Sequence, residues 1–147
     1  MNEISIDKRL NIQTLGYYIE RTLSVMIKRL NQELKKEGLE FQHSHFSTMK
    51  ILNTLDNICQ TDLCKITGKD RASISRTIKF LEEKGYVMRQ SVNGCKNGIS
   101  LTDKGRAIMP LLEDISKRVT DRAFMGFKNK TRQNIFESLC KIYNNSL

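Results

Sequence analysis

The chain has 147 residues, with 25 Lys or Arg against 16 Asp or Glu and a formal net charge of +9 at pH 7. That length suits one domain with a substantial core. The excess of cations indicates a polyanionic partner or an acidic surface. The first fifteen residues include Glu3, Asp7, Lys8 and Arg9 and lack an apolar core, so we expect no secretory signal. No apolar run reaches the length of about 18 residues that predicts a membrane span.

The cysteines favour a reducing compartment. Cys59, Cys64, Cys95 and Cys140 show no paired spacing. Without a signal, four such residues are most simply reduced thiols, so we expect a cytoplasmic protein. Cys59 and Cys64 stand where small or apolar residues would serve, and we interpret both as part of the core.

The first predicted helix runs from about Leu10 to Lys36 and ends at Gly38. Its apolar residues step by three or four and form one stripe: Leu15, Ile19, Leu23, Met26, Leu30 and Leu34. At 1.5 Å per residue this helix is about 40 Å long, which outruns a small globule and favours packing on a partner subunit.

A second helix is predicted over Phe41–Leu55. Ser44 is its predicted N-cap, and Phe46, Met49 and Leu52 are expected to face inward. It would complete the three-helix core behind a helix-turn-helix.

Residues 60–105 organise the rest of the chain. A short helix over Gln60–Thr67 is predicted to end at Gly68, and Asp70 can cap a second helix over Arg71–Lys84. Two strands follow, at 86–92 and 99–102, around a basic loop at 93–98. This order predicts a winged helix-turn-helix, whose second helix enters the DNA major groove.

The second of these helices has two distinct faces. At about 100° per residue, Ile74, Ile78 and Leu81 share a narrow apolar sector. The opposite side carries small residues and cations, with no acid in its first two turns. Its members are Ala72, Arg76 and Lys79, flanked by Ser73, Ser75 and Phe80. Arg can pair with guanine, Ser with base or phosphate, and the Ala methyl with thymine.

The positive charge is concentrated on this segment. Residues 65–106 hold ten Lys or Arg and four Asp or Glu, so two-thirds of the net charge of +9 lies there. Surplus cations beside a candidate reading helix are what contact with phosphates requires.

The C-terminal third is predicted to be helical. Thr102 can cap a helix from Asp103, and Pro110 is expected either to kink it or to begin a new helix. A last helix is predicted over Thr131–Tyr143, with Ile135, Leu139 and Ile142 on one side. Apolar helices at both ends favour a homodimer that presents two reading helices about one DNA turn apart, roughly 34 Å. Folding back on the same domain is the alternative.

Three segments carry a family resemblance. They read Asp70–Arg76 (DRASISR), Leu81–Val87 (LEEKGYV) and Ile99–Gly105 (ISLTDKG). In this order and spacing they resemble the reading helix, the helix exit and the wing exit of the MarR family of winged-helix repressors. The fold class is therefore mainly α with a small β-ribbon: an N-terminal arm and dimerisation helix (1–36), a winged helix-turn-helix (37–105) and C-terminal dimerisation helices (106–147), all in one structural domain.

The resemblance implies a transcriptional repressor that binds a pseudo-palindromic operator as a homodimer and is released by a small, often phenolic or lipophilic, effector. Where the family's wing commonly carries Asp-x-Arg, this chain has Asn93, Gly94 and Cys95, and Lys96 is the nearby cation. The predicted DNA-binding residues are Gln60, Thr61, Arg71, Ala72, Ser73, Ser75, Arg76, Lys79 and Lys96.

Several aromatic, histidine and cysteine residues outside the reading helix are candidates for further sites. Aromatic and polar residues on the first two helices could line an effector pocket or an ordinary packed interface: Tyr17, Tyr18, His43, His45 and Phe46. His43 and His45 could bind zinc, but too few ligands stand near them, so no metal or cofactor is predicted. Cys95, beside Lys96, is either a reactive thiol or an incidental turn residue.

Three function classes follow from the residues. The first is the DNA-binding regulator, which a metal or a thiol could also control. The second is a winged-helix module that binds RNA or a protein partner. The third is an enzyme, which we reject because no nucleophile–base set, phosphate loop or metal constellation is present.

Overall fold

The computed structural model describes residues 14–92 and 95–147, with the backbone alone at 91, 92 and 95–97. Six helices and one two-stranded antiparallel sheet follow one another along this part of the chain. They are α1 (Leu15–Lys36), α2 (His43–Thr54), α3 (Gln60–Thr67), α4 (Arg71–Glu83), β1 (Val87–Val92), β2 (Cys95–Leu101), α5 (Asp103–Ala123) and α6 (Asn129–Asn145). This order confirms the predicted winged helix-turn-helix with helices at both ends.

The helix ends show which local signals the sequence carries. Gly68 ends α3 in the left-handed conformation, at φ 65°, which glycine adopts without a Cβ penalty. Thr102 caps α5 by accepting the Gly105 N–H at 3.0 Å. Both assignments were predicted, and both are confirmed.

The predicted cap of α2 was wrong. The N-cap is Gln42, and Ser44 lies inside the first turn. The Gln42 backbone N–H donates to Nδ1 of His45 at 3.1 Å, as to the N3 side chain of a capping box, and the His45 backbone N–H donates to the carbonyl oxygen of Gln42 at 3.0 Å. A histidine therefore fills the position that Glu or Gln usually takes.

Two further boundaries differ from expectation. β2 begins at Cys95, so most of the predicted basic loop belongs to a strand. Pro110 lies inside an uninterrupted α5, so no new helix begins there. Proline leaves the carbonyl of Arg106 without its helical donor. Arg106 and Pro110 are both exposed, so water can supply the missing hydrogen bond.

The core lies between the C-terminal half of α1, helices α2 to α5 and the base of the ribbon. The buried apolar residues of α2 are Phe46, Met49 and Leu52, as predicted. They meet the apolar side of α4, where Ile74, Ile78 and Leu81 are fully buried. An isolated bridge between Ile58 and Ile99 adds the turn before α3 to the edge of β2.

The termini are packed very differently from the centre. Leu30 and Leu34 of the α1 stripe are buried, but Leu15 and Leu23 are 65% and 52% exposed. Helix α6 buries none of its residues. Leu15 and Ile19 line one open apolar groove with residues of α6: Thr131, Asn134, Ile135, Ser138, Leu139 and Ile142. Among the described residues, no helix has the length and apolar character needed to cross a membrane.

Candidate nucleic-acid interface

The start of α4 is fixed by its N-cap residue. Asp70 is the N-cap, and its carboxylate accepts the Ser73 backbone N–H at 2.8 Å. That hydrogen bond holds the pKa of the Asp70 carboxyl below its ordinary value, so the cap is ionised at neutral pH. The helix therefore begins immediately after the tight turn at Gly68 and projects its first two turns outward.

The two faces of α4 separate as predicted. The inner face buries Ile74, Thr77, Ile78 and Leu81. The outer face exposes the remaining members of the predicted reading set on this helix, of which Ser73 alone is half-buried: Arg71, Ala72, Ser73, Ser75, Arg76 and Lys79. The small residues keep this ridge narrow, which a helix needs to approach base edges in a groove.

The cations on this ridge are available to a ligand. Arg71 and Arg76 form no salt bridge within the described part of the chain. Lys79 lies 3.9 Å from Glu83, with the two side chains 77% and 62% exposed. An exposed pair of this kind contributes little stability, so Lys79 can exchange Glu83 for a phosphate at small cost.

Helix α3 brings the other predicted contacts to the same side. Gln60 and Thr61 form its first turn, and Nε2 of Gln60 donates to the carbonyl oxygen of Arg71 at 3.4 Å. This contact joins the beginnings of α3 and α4. The free backbone N–H groups of a helix N-terminus favour anions, which suits a phosphate contact.

The ribbon is tied to α4 by a charge pair that the sequence pattern did not reveal. Nε of Arg89, on β1, lies 2.9 Å from Oε1 of Glu82 near the end of α4. Arg89 is opposite Ile99 in the β1–β2 register. The wing cation Lys96 lies on β2, and its side chain falls outside the described ones, as do Asn93 and Gly94 entirely.

An aromatic cluster supports the end of α4, and the sequence pattern did not reveal it because its members come from four separate segments of the chain. The imidazole of His45 stacks on Phe80 with ring centroids 4.0 Å apart. Phe41 packs on Tyr86 at 4.9 Å and on Phe80 at 6.3 Å. Lys84 pairs with Glu40 on the outer side of this cluster. The cluster thereby joins the α1–α2 loop to the reading helix.

The five residues predicted for an effector pocket occupy different environments. Tyr17 and Tyr18 are 36% and 38% exposed, and their rings contact each other edge to face. His45 and Phe46 belong to the interior. Among the described cavities, Phe46 alone of the five lines one, between α2, α5 and α6. The pocket at these residues stays a prediction.

Histidine and cysteine chemistry is constrained by the fold. No group of three or more His, Cys, Asp or Glu in the described residues is arranged to hold a metal ion. Nδ1 of His45 is already occupied by the Gln42 N–H. Cys59, the N-cap residue of α3, is disulfide-bonded, which corrects the expectation that all four cysteines are reduced. Cys64 and Cys140 are free thiols.

Known proteins resemble this chain in sequence over one segment and in fold over most of its length. Residues 58–141 match the family model described as the B-block binding subunit of TFIIIC. A MarR family transcriptional regulator from Rhodococcus sp. RHA1 superposes with a TM-score of 0.80 at 20% identity, over 88% of this chain and 96% of that one. A MarR transcriptional regulator from Methanosarcina mazei Go1 gives 0.80 at 24% identity, over 89% and 88%.

A third similar structure was solved with nucleic acid. It is a MarR family transcriptional regulator from Listeria monocytogenes complexed with 26mer DNA, with a TM-score of 0.79 at 23% identity, over 91% of this chain and 89% of that one. The three structures are described as transcriptional regulators. The family model covers more than half of the sequence. The chain thus belongs to the family described as the B-block binding subunit of TFIIIC, and its winged-helix fold is the fold of the MarR family transcriptional regulators.

Proposed function

We propose that this protein is a sequence-specific DNA-binding transcriptional regulator that reads the major groove with α4. The observation that carries the proposal is the outer face of that helix. It exposes Arg71, Arg76 and Lys79 among small residues, while the opposite face is fully committed to the core. A helix with this division of faces can enter a groove without disturbing the domain behind it.

Within that proposal the contacts divide by chemistry. Arg76 and Ser75 have the donors that read base edges, and the Ala72 methyl suits the methyl group of thymine. The phosphate contacts come from Gln60 and Thr61 at the beginning of α3, from Lys79 and from the wing residue Lys96. Such contacts fix the register of a protein on the duplex, whereas base contacts determine which sequence is chosen.

The protein acts as a homodimer in this proposal, through residues 1–36 and 106–147. Support comes from the apolar surface that α1 and α6 leave exposed, including Ile19, Leu139 and Ile142 at 36%, 45% and 40%. A two-fold pair would place two α4 helices about one turn of DNA apart, roughly 34 Å, on a pseudo-palindromic operator. Residues 37–105 form the DNA-binding region between the paired helices.

Repression and effector release complete the proposal. A dimer bound over a promoter blocks transcription, and a small lipophilic or phenolic molecule that binds between the paired helices and the reading region would release it. The structural support is the aromatic cluster, because Phe41 and His45 contact Phe80 on α4, so that a shift of the α1–α2 region would displace the reading helix.

The test is a mobility shift with duplexes from the intergenic regions beside the gene. We expect a palindromic duplex to shift at nanomolar protein and to resist excess competitor DNA. Footprinting should then protect two half-sites one helical turn apart. A matched RNA of the same sequence serves as the control.

Equal binding of that RNA, or loss of all preference for the palindromic duplex under competitor DNA, would overturn the proposal of a DNA-binding regulator. Either result would favour an RNA-binding winged helix. Retention of operator preference with no response to any phenolic compound would leave DNA binding standing and remove the effector from the proposal.

A further inference from the structure

Three arginines gather around a hollow that lies away from the reading surface. The hollow has a volume of about 210 Å³ and is lined by α1 and α5: Arg29, Glu33, Arg118, Val119 and Arg122. None of these residues belongs to α3, α4 or the ribbon. A cavity dominated by guanidinium groups needs an explanation other than contact between α4 and a duplex.

One arginine is already held in place by the protein. Arg118 contacts Oε1 of Glu37 at 3.0 Å and Oδ2 of Asp114 at 3.1 Å. Its guanidinium is therefore oriented before any ligand arrives, and the two carboxylates more than offset its charge. Such pre-orientation reduces the entropy lost when a ligand binds.

The acid in the lining is also paired. Glu33 accepts a hydrogen bond from Lys36 at 2.8 Å, which is the main reason that the pKa of its carboxyl lies below the ordinary value. Arg118 and Arg29 lower that pKa further. Glu33 is thus an ionised acceptor at the edge of the hollow, with its charge offset by Lys36.

The other two arginines have no such partners. Within residues 14–92 and 95–147, Arg29 and Arg122 form neither a salt bridge nor a side-chain hydrogen bond. Each guanidinium carries five N–H donors in a planar fork that matches carboxylate or phosphate oxygens two at a time. Two forks with free donors therefore face one small hollow, beside the nearly buried Val119, which is 7% exposed.

We propose that this hollow binds a small dianion through Arg29 and Arg122, with carboxylate or phosphate oxygens as the recognised groups. A volume of about 210 Å³ equals several water molecules at about 30 Å³ each, which limits the ligand to a few carbon atoms. Val119 contacts the carbon part of the ligand, and Glu33 accepts a hydroxyl or ammonium donor on it. This site shares no residue with the proposed DNA contacts, although it lies on α1 and α5, within the proposed dimerisation regions.

The experiment titrates the full chain with L-malate and, separately, with inorganic phosphate, at constant ionic strength set by potassium chloride. Isothermal titration and the Tm of the protein are the two readouts. We expect saturable binding for at least one probe. The double variant Arg29→Gln, Arg122→Gln should raise the Kd about tenfold or more, because hydrogen bonds to charged groups are lost at both forks.

The matched control is Arg21→Gln, Lys130→Gln, which removes the same two charges from exposed positions outside the hollow. It should bind both probes as the unaltered chain does. If circular dichroism shows that the double variant is unfolded, each single variant is titrated in its place.

Binding that fails to saturate with both probes, or equal Kd values in the double variant and its control, would overturn the proposal. Loss of duplex affinity in the double variant, with no saturable probe binding, would also overturn it and assign the two arginines to the DNA backbone. Operator binding in the unaltered chain is scored separately, so failure of this site leaves the proposed function intact.

Discussion

The imidazole of His45 lies flat on the ring of Phe80, with ring centroids 4.0 Å apart and planes 10° from parallel. Its Nδ1 accepts the Gln42 N–H, which requires a neutral ring with a free lone pair on that nitrogen. Burial, and then the nearby charge of Lys69, lower the pKa of His45. One neutral imidazole thus caps α2 and supports the reading helix together.

This relationship predicts a loss of stability in mild acid. Because the folded-state pKa values of His43 and His45 lie below the ordinary value, the unfolded chain binds more protons as the pH falls below about 6.5. The free energy of unfolding should therefore fall between pH 7 and pH 5 in urea titrations. The carboxyl groups with lowered pKa values titrate below this range.

The variant His45→Phe keeps the stacked ring and removes the titrating nitrogen. We expect a smaller fall in the free energy of unfolding over the same pH range, whatever the stability of the variant at neutral pH. A fall as steep as that of the unaltered chain would show that His45 is not the group responsible.

Two residues on the outer face of the reading helix should affect DNA binding in different ways. Arg76→Ala should cost about 1–3 kcal/mol of operator affinity and relax preference at one base pair. Lys79→Ala should weaken binding evenly across sequences and reduce the salt slope by about one unit. Fluorescence anisotropy over a series of salt concentrations separates the two effects. Lys28→Ala, an exposed charge on α1, is the control and should change neither quantity.

We expect the wing to contact DNA phosphates and to contribute little to the choice of DNA sequence. Lys96 is a point charge without the planar fork of arginine. Lys96→Ala should therefore flatten the salt slope by about one unit while operator preference is retained. An unchanged slope would remove Lys96 from the set of DNA contacts.

The proposed homodimer depends on apolar side chains that a monomer leaves in water. Leu139→Glu, at a position 45% exposed on α6, should shift the protein to monomer in sedimentation velocity runs. Met88→Glu, at a position 42% exposed on the ribbon, is the matched control and should not change the sedimentation coefficient. A shift with both variants, or with neither, would contradict an interface built on α6.

Substitution of Gly105 should be destabilising because the backbone of Tyr86 lies against it, and not because of helix propensity. A Cβ on Gly105 would collide with the carbonyl oxygen of Tyr86, which is backbone and cannot move aside. Gly105→Ala should therefore cost roughly 1–3 kcal/mol of the free energy of unfolding, the usual range for overpacking. Gly16→Ala, in α1 with nothing within 4 Å of the added carbon, should instead stabilise the helix by about 0.5–1 kcal/mol. Urea titration of both variants makes the comparison.

The predictions from sequence were confirmed where they depended on residues close together in the chain. The bounds of α3, the left-handed Gly68, the caps Asp70 and Thr102 and the division of α4 into two faces depend on residues a few positions apart. These features also define most of the candidate reading surface.

The errors and omissions involve contacts between distant residues. Ser44 is a sound N-cap by residue type, but His45 acts as the cap acceptor because Phe80, 35 positions further along, holds its ring in place. Glu82 and Arg89 look like ordinary surface charges until the ribbon turns back beside α4. Periodicity and residue type contain no information about such pairs.

The hydroxyl of Thr102 accepts the Gly105 N–H and donates to the carbonyl oxygen of Gly85 at 2.6 Å. One side chain therefore clamps together the two ends of the ribbon excursion, where α4 finishes and α5 starts. The base of the ribbon is also tied to the domain, through the Arg89–Glu82 pair and the buried Ile99, so only the hairpin tip beyond these residues can change in length or sequence without disturbing α4. The hairpin tip could accordingly be exchanged to change the contacts with DNA phosphates while the orientation of the reading helix stays the same.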